Sequence, residues 1–85
     1  KSELFSHTLW LEHLRFHRES DLYADKIEIK VRGLGLNPPG YIRVQKESEH
    51  LWKINLAAPA WAVAPGQPAA LYCGERLIGG GIISR

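Results

Sequence analysis

The sequence predicts an all-β domain that forms a small antiparallel barrel of about six strands. One observation is that apolar and polar residues alternate over residues 25–32, 41–45 and 51–56. A second is that glycine, proline and polar residues cluster between these stretches, as they do in turns. A third is the triple glycine at residues 79–81, inside the last apolar stretch. Short strands separated by turns are typical of barrels, and the sequence offers no convincing helix.

The first twenty residues fit two interpretations. A helix would align Leu4, Leu11 and Leu14 along one stripe. A long strand with an irregularity accounts about as well for Leu9 and Leu11 at one parity and for Trp10, Leu14 and Phe16 at the other. Local periodicity alone leaves both open.

The middle of the chain is the clearest part of the prediction. Between residues 25 and 32, Ile27, Ile29 and Val31 point to one side of a strand, and the intervening charged residues point to the other. The stretches 41–45 and 51–56 alternate in the same way around the polar turn 47–50. In these two strands the residues expected on the buried face are Ile42, Val44, Trp52, Ile54 and Leu56.

Two glycine positions near the end predict local geometry. Tyr72 and Leu77 flank Gly74 and Glu75, and a glycine at the first central position suits a type II′ hairpin turn. Glycine weakens a strand intrinsically, so the run 79–81 indicates a close backbone approach or a corner of the barrel.

Composition limits the range of functions. The 85 residues are enough for one domain with one core. Eleven Lys and Arg against nine Asp and Glu give a net charge of +2, which is compatible with nucleic-acid contact but lacks a dense basic stripe. No apolar run is long enough for a membrane span or signal peptide, and the single Cys73 fits a reducing compartment. Because the chain opens on Lys1, we expect a piece of a larger cytoplasmic protein.

The last third of the chain resembles the C-terminus of the tRNA-specific 2-thiouridylases. That family carries the strings Val-x-Pro-Gly-Gln, Tyr-x-Gly-Glu and Gly-Gly-Gly-x-Ile, which match residues 63–67, 72–75 and 79–83. A weaker match, Leu-Phe-Ser at residues 4–6, opens an extended strand in the family. The resemblance therefore favours the strand interpretation of the first twenty residues, and it implies a barrel similar to domain 2 of elongation factor Tu.

The resemblance also implies a role. Residues 1–85 would form one C-terminal barrel of a larger enzyme, an ATP- and magnesium-dependent tRNA-uridine 2-sulfurtransferase. That enzyme activates the wobble uridine of certain tRNAs and transfers sulfur from a cysteine persulfide. The barrel would help to hold the tRNA, and its other partners would be the N-terminal and central domains of its own chain. The parent would also receive sulfur from a donor protein.

Outward-facing cations are the candidate tRNA contacts, because Lys and Arg position a phosphate backbone without reading its sequence. The outward cations are Lys30, Arg32, Arg43, Lys53, Arg76 and Arg85, with Tyr41 and Trp61 close by in sequence, and the first five are the candidates. The family string Lys-x-Arg-Tyr-Arg-Gln is cut short after Arg32 by glycine, which weakens the expected contact through this loop. The competing interpretation is a barrel that docks onto a neighbouring domain through Trp10, Trp61 and Tyr72, without contact to nucleic acid.

No catalytic, cofactor-binding or metal-binding residue is expected in this chain. Cys73 is flanked by Gly74 and Glu75 and has no adjacent histidine to activate it. His7 and His17 would lie about 33 Å apart along an extended strand, too far apart to share a metal ion. Neither glycine-rich segment continues into the Gly-Lys-Ser or Gly-Lys-Thr of a phosphate-binding loop.

Overall fold

The computed structural model describes residues 5–32, 40–61 and 65–84, without the side chains of residues 5, 6 and 59–61. Six strands and a 3-10 helix make up these residues. In chain order they are β1 (Phe5–Phe16), the 3-10 helix (Glu19–Tyr23), β2 (Ile27–Val31), β3 (Arg43–Lys46), β4 (Leu51–Trp61), β5 (Pro68–Cys73) and β6 (Arg76–Ile83).

The six strands form one antiparallel sheet in the order β2-β5-β6-β1-β4-β3. The sheet curls into a half-barrel, and its two edges approach each other where Ile27 bridges to Ile42. At that bridge the Ile42 N–H donates to the Ile27 carbonyl over 2.7 Å. The predicted all-β barrel of antiparallel strands is confirmed. Among the described residues, no helix has the length and apolar character needed to cross a membrane.

Strand β1 is long and irregular, as the resemblance predicted. The register of its pairing with β6 shifts between Glu12 and Arg15, because β1 contains one extra residue there. Within this bulge, His13 has a positive φ of 57°. Leu9 and Leu11 are buried before this bulge, whereas Leu14 and Phe16 pack against the core after it. The bulge thus reverses which residues face inward.

The core is a continuous apolar cluster inside the curled sheet. Strand β2 buries its alternate residues as predicted, and so do β3 and β4 with the residue before β3, through Ile42, Val44, Trp52, Ile54 and Leu56. The 3-10 helix was not predicted, and it contributes Leu22, whose side chain is fully buried. The buried residues are Leu9, Leu11, Leu22, Ile27, Ile29, Val31, Ile42, Val44, Trp52, Ile54, Leu56, Ala69, Leu71, Ile78 and Ile83.

The glycine run of β6 lies where other backbone comes close. A Cβ atom at Gly79 would lie 2.9 Å from the carbonyl oxygen of Arg15, and one at Gly81 would lie 3.0 Å from that of Glu12. These positions face the bulged half of β1, so the predicted close backbone approach is confirmed. In the β5–β6 hairpin, Gly74 has a φ of 66° and Glu75 does not have a positive φ, consistent with the predicted type II′ turn.

Candidate nucleic-acid interface

The five predicted cations lie on the outer surface of the barrel, but on different parts of it. Lys30 lies on β2, Arg32 follows that strand, Arg43 lies on β3, Lys53 on β4 and Arg76 at the start of β6. All are exposed except Lys53, which is half-buried. Lys30 and Arg32 line one depression of the surface together, and none of the other three residues lines it. The structure therefore does not bring these five residues into one cluster.

Two of the five are engaged with carboxylates. The Arg43 guanidinium lies 3.3 Å from Asp25, and the Arg76 guanidinium lies 3.7 Å from Asp21. The two ion pairs differ in exposure, since the Asp25 side chain is exposed and that of Asp21 is half-buried, and exposed pairs are weak in water. They nonetheless reduce the local positive charge that either arginine presents.

Arg43 and Lys53 are neighbours on the outer face. Arg43 pairs with Asn55 and Lys53 with Gln45, so the two cations lie on the diagonal of adjacent strands, about 7–8 Å apart at the backbone. On its other side Lys53 pairs with Trp10, and its ammonium lies 5.7 Å from the centre of that ring. This is a cationic patch next to a half-buried aromatic side chain.

Two shallow depressions that share Ala70 lie side by side over β5 and β6, and we call the two halves together the glycine-floored groove. One half has a volume of about 430 Å³ and the other about 460 Å³, and both are lined by Ala70. Gly80 and Ala70 form the floor. The other lining residues include Arg15, Phe16, His17 and Leu77 in one half, and Lys30, Arg32, Pro68 and Tyr72 in the other.

The groove follows from strand register. Lys30 pairs with Ala70, Ala70 pairs with Gly80, and Gly80 pairs with Arg15, so these four residues form one row across four strands. The two ends of the row carry long cationic side chains, and the middle carries a methyl group and a hydrogen. Three strand spacings separate its ends, about 14 Å. The row therefore holds a cation on each side of a nearly bare strip of backbone.

Two of these residues, Arg15 and His17, were not among the predicted contacts. Both are exposed, and they face outward because the bulge at His13 reverses the parity of β1. The sequence carries a signal for them, since the inward positions of Leu14 and Phe16 place the intervening Arg15 outside. Their position beside Lys30 depends on the strand order, which no local pattern supplies.

Tyr72 contributes an aromatic surface to the groove. It pairs with Glu28 of β2, and the ammonium of Lys30 lies 4.7 Å from the centre of its ring. A cation at this distance over an aromatic face is attracted by the ring quadrupole. The contact holds Lys30 along the wall of the groove.

Other predicted positions have no comparable setting. Cys73 is a half-buried free thiol packed against the core, and Tyr41 is exposed. No three His, Cys, Asp or Glu side chains of the described residues lie close enough to bind a metal ion. Arg85, the Trp61 side chain and most of the loop after Arg32 lie outside the described residues.

One titratable group is shifted. The Tyr23 hydroxyl donates to the Glu19 carboxylate over 3.1 Å. Desolvation raises the pKa of Tyr23, and the hydrogen bond to Glu19 and the charge of that residue raise it further. The shift favours the neutral phenol, and Tyr23 lies outside both halves of the groove.

Comparison with known proteins agrees with this architecture. The model of the family described as the aminomethyltransferase beta-barrel domain matches residues 6–83. Relatives named tRNA-specific 2-thiouridylase MnmA include that of Rickettsia felis, 36% identical over 72% of this chain and 17% of its own length. The protein of the same name from Dehalococcoides mccartyi is 31% identical over 94% of this chain and 20% of its own length. No solved structure matches the chain.

These matches, together with the curled six-stranded sheet, define the class of protein as a small β-barrel accessory domain. The chain belongs to the family of aminomethyltransferase beta-barrel domains, in the form that tRNA-specific 2-thiouridylases carry at their C-terminus. The resemblance predicted from residues 63–83 is confirmed. The chain spans about a fifth or less of the length of these relatives.

Proposed function

We propose that this barrel is an accessory domain of an ATP-dependent tRNA-uridine 2-sulfurtransferase and that it helps to position the tRNA. Magnesium, ATP and the sulfur-transferring cysteines would act in other parts of the parent chain, which would operate in the cytoplasm with a sulfur-donor protein. The observation that carries this proposal is the family match over residues 6–83, with relatives whose name specifies tRNA.

The outer surface of the barrel supports a positioning role. Lys30, Arg32, Arg43, Lys53 and Arg76 all lie outside the core, where they can approach phosphate oxygens. Contacts of this type fix the orientation of a nucleic acid and carry no sequence information. The chemistry on the wobble uridine needs a held tRNA, since a substrate fixed in position reacts more readily than one that tumbles.

Removal of the barrel from the parent enzyme tests this function. The truncated enzyme should show a raised KM for tRNA, while its KM for ATP stays unchanged, because the barrel is assigned to the tRNA and not to the nucleotide. A matched version that carries Lys30→Glu and Lys53→Glu in the intact chain should show the same direction of change. An unchanged KM for tRNA in both would contradict the positioning role.

A second candidate is docking onto the N-terminal or central domain of the parent chain. The half-buried Trp10 and Tyr72 side chains on the outer face favour it, because aromatic residues are enriched at protein interfaces. Docking through apolar side chains depends weakly on salt, whereas contact with tRNA phosphates depends on it steeply. Trp10→Ala should then release the barrel from the rest of the parent in limited proteolysis, with no direct effect on tRNA affinity.

A further inference from the structure

We propose that the glycine-floored groove binds the sugar–phosphate backbone of an RNA strand, with Arg15 and Lys30 contacting phosphates from its two sides. This inference rests on the proposed function in taking the RNA to be tRNA in the parent enzyme. It goes further in assigning a particular surface and in adding Arg15, which has no part in the resemblance.

Charge is the first argument. Arg15, Lys30 and Arg32 line the groove together with His17, and no carboxylate lines either half. Within residues 5–32, 40–61 and 65–84, none of these three cations has a carboxylate partner, unlike Arg43 and Arg76. Their charge is therefore available to a phosphate group without breaking an existing ion pair.

Two acidic residues lie on the strands of the groove without lining it. Glu28 faces outward on β2 opposite Tyr72, and Glu12 lies opposite Ile82 on β1. The Glu12 carboxylate lies 3.5 Å from the His13 ring, outside both halves of the groove. The charged side chains that line the groove between these two carboxylates are all cationic, and this charge is complementary to a polyanion.

Shape is the second argument. At most outward positions of a sheet a side chain separates a ligand from the backbone, but here Gly80 and Ala70 leave that space open. A sugar–phosphate chain can lie against the sheet between Arg15 and Lys30. These two residues stand at opposite ends of one row, about 14 Å apart. Both cations then reach it without stretching away from their strands.

Ring stacking is a further favourable feature. Tyr72 lines the same half of the groove as Lys30 and Arg32. Stacking of a base on an aromatic side chain stabilises single-stranded RNA binding and tolerates any base. The groove thus combines cations with one aromatic surface, the combination found in strand-face binders of single-stranded nucleic acids.

Binding measurements on the 85-residue chain test the proposal, with a tRNA and a short single-stranded RNA as separate probes. The groove variant carries Arg15→Gln and Lys30→Gln. Its matched control carries Lys26→Gln and Lys46→Gln, which remove two exposed charges outside the groove and outside the candidate tRNA contacts. A third variant, Ala70→Leu, fills the floor and keeps every charge, and its control is Gln45→Leu on the outer face of β3. Circular dichroism first establishes that each variant is folded.

The expected result is that both groove variants bind RNA roughly tenfold more weakly, and that the charge variant flattens the salt slope by about one to two units. The two controls should stay close to the wild type. If both groove variants bind both RNAs like the wild type, the proposed RNA site in the groove is contradicted. The proposal that the barrel contacts tRNA through another face is then retained. If the wild type binds only the short RNA and the groove variants do not bind it, the RNA site in the groove is supported. The proposal that the barrel positions tRNA is then contradicted. A wild-type chain that binds neither RNA overturns both proposals.

Discussion

Gly79 lies so close to the carbonyl oxygen of Arg15 that a Cβ atom on it would approach that oxygen to 2.9 Å. The neighbour is backbone, held in the sheet by the pairing of β1 with β6, and it cannot rotate away as the end of a flexible side chain could. The glycine run is thus a packing requirement of the bulged strand.

Gly79→Ala should therefore lower the free energy of unfolding by about 1–3 kcal/mol, the usual cost of forcing atoms into a packed site. Gly80→Ala should cost less, because its Cβ would meet the Ala69 carbonyl oxygen at 3.2 Å and otherwise face the open groove. Urea denaturation of the two variants measures the difference. Equal midpoints would contradict the close approach at Gly79.

Leu22 offers a test of the 3-10 helix. Its side chain is fully buried and packs into the core that the sheet encloses. Leu22→Ala should cost about 2–5 kcal/mol, a large share of the roughly 5 kcal/mol expected for a domain of this size. Thermal unfolding followed by circular dichroism measures it, with Leu77→Ala at an exposed position as the control. Similar midpoints for the two variants would show that the 3-10 helix is not part of the core.

His13 is strained in the bulge, since its φ of 57° is unfavourable for a residue with a Cβ atom. His13→Gly should be neutral or stabilising by up to about 1 kcal/mol, because the relief of strain is offset by the greater freedom of the unfolded chain. His13→Val should destabilise the fold by about 1–2 kcal/mol, since β-branched residues rarely adopt this conformation. His17→Val provides the control at an exposed position. The opposite order of the glycine and valine variants at residue 13 in urea titration would exclude strain there.

We expect the Cys73 thiol to have no catalytic role. Its half-buried thiol packs against the core at the β5–β6 hairpin, beside Glu75 and Arg76. We expect neither ATP hydrolysis nor tRNA thiolation from the 85-residue chain, and Cys73→Ser should leave tRNA binding unchanged. Mass spectrometry of nucleosides after incubation with tRNA, ATP and a sulfur donor measures thiolation. Formation of 2-thiouridine that disappears in Cys73→Ser would contradict this assignment.

Local pattern predicts much of this fold, and pairing supplies the rest. Alternation alone predicts the buried faces of β2 and β4, since a period of two leaves only one choice of inner residues. The bulge of β1 is visible as the change of parity between Leu11 and Phe16. The 3-10 helix is not, because its one buried residue, Leu22, stands in a short polar segment without periodicity.

The candidate site was less predictable than the fold. Outward cations such as Lys30 follow from alternation, but their neighbours depend on which strands are adjacent. Arg15 meets Lys30 only through Gly80 and Ala70, residues contributed by β6 and β5. The pairing of Arg43 with Asp25 likewise joins residues 18 positions apart. Long-range register of this kind leaves no local signal.

The salt dependence of tRNA binding by this chain is the most direct test of a positioning role. Affinity is measured between about 50 and 200 mM salt, and each phosphate contact contributes slightly less than one unit to the slope of log affinity against log salt. Contact through a few outward cations predicts weak, sequence-independent binding with a slope of roughly −2 to −4. No detectable binding at the lowest salt, or an affinity that stays constant across the range, would contradict it and favour domain docking instead.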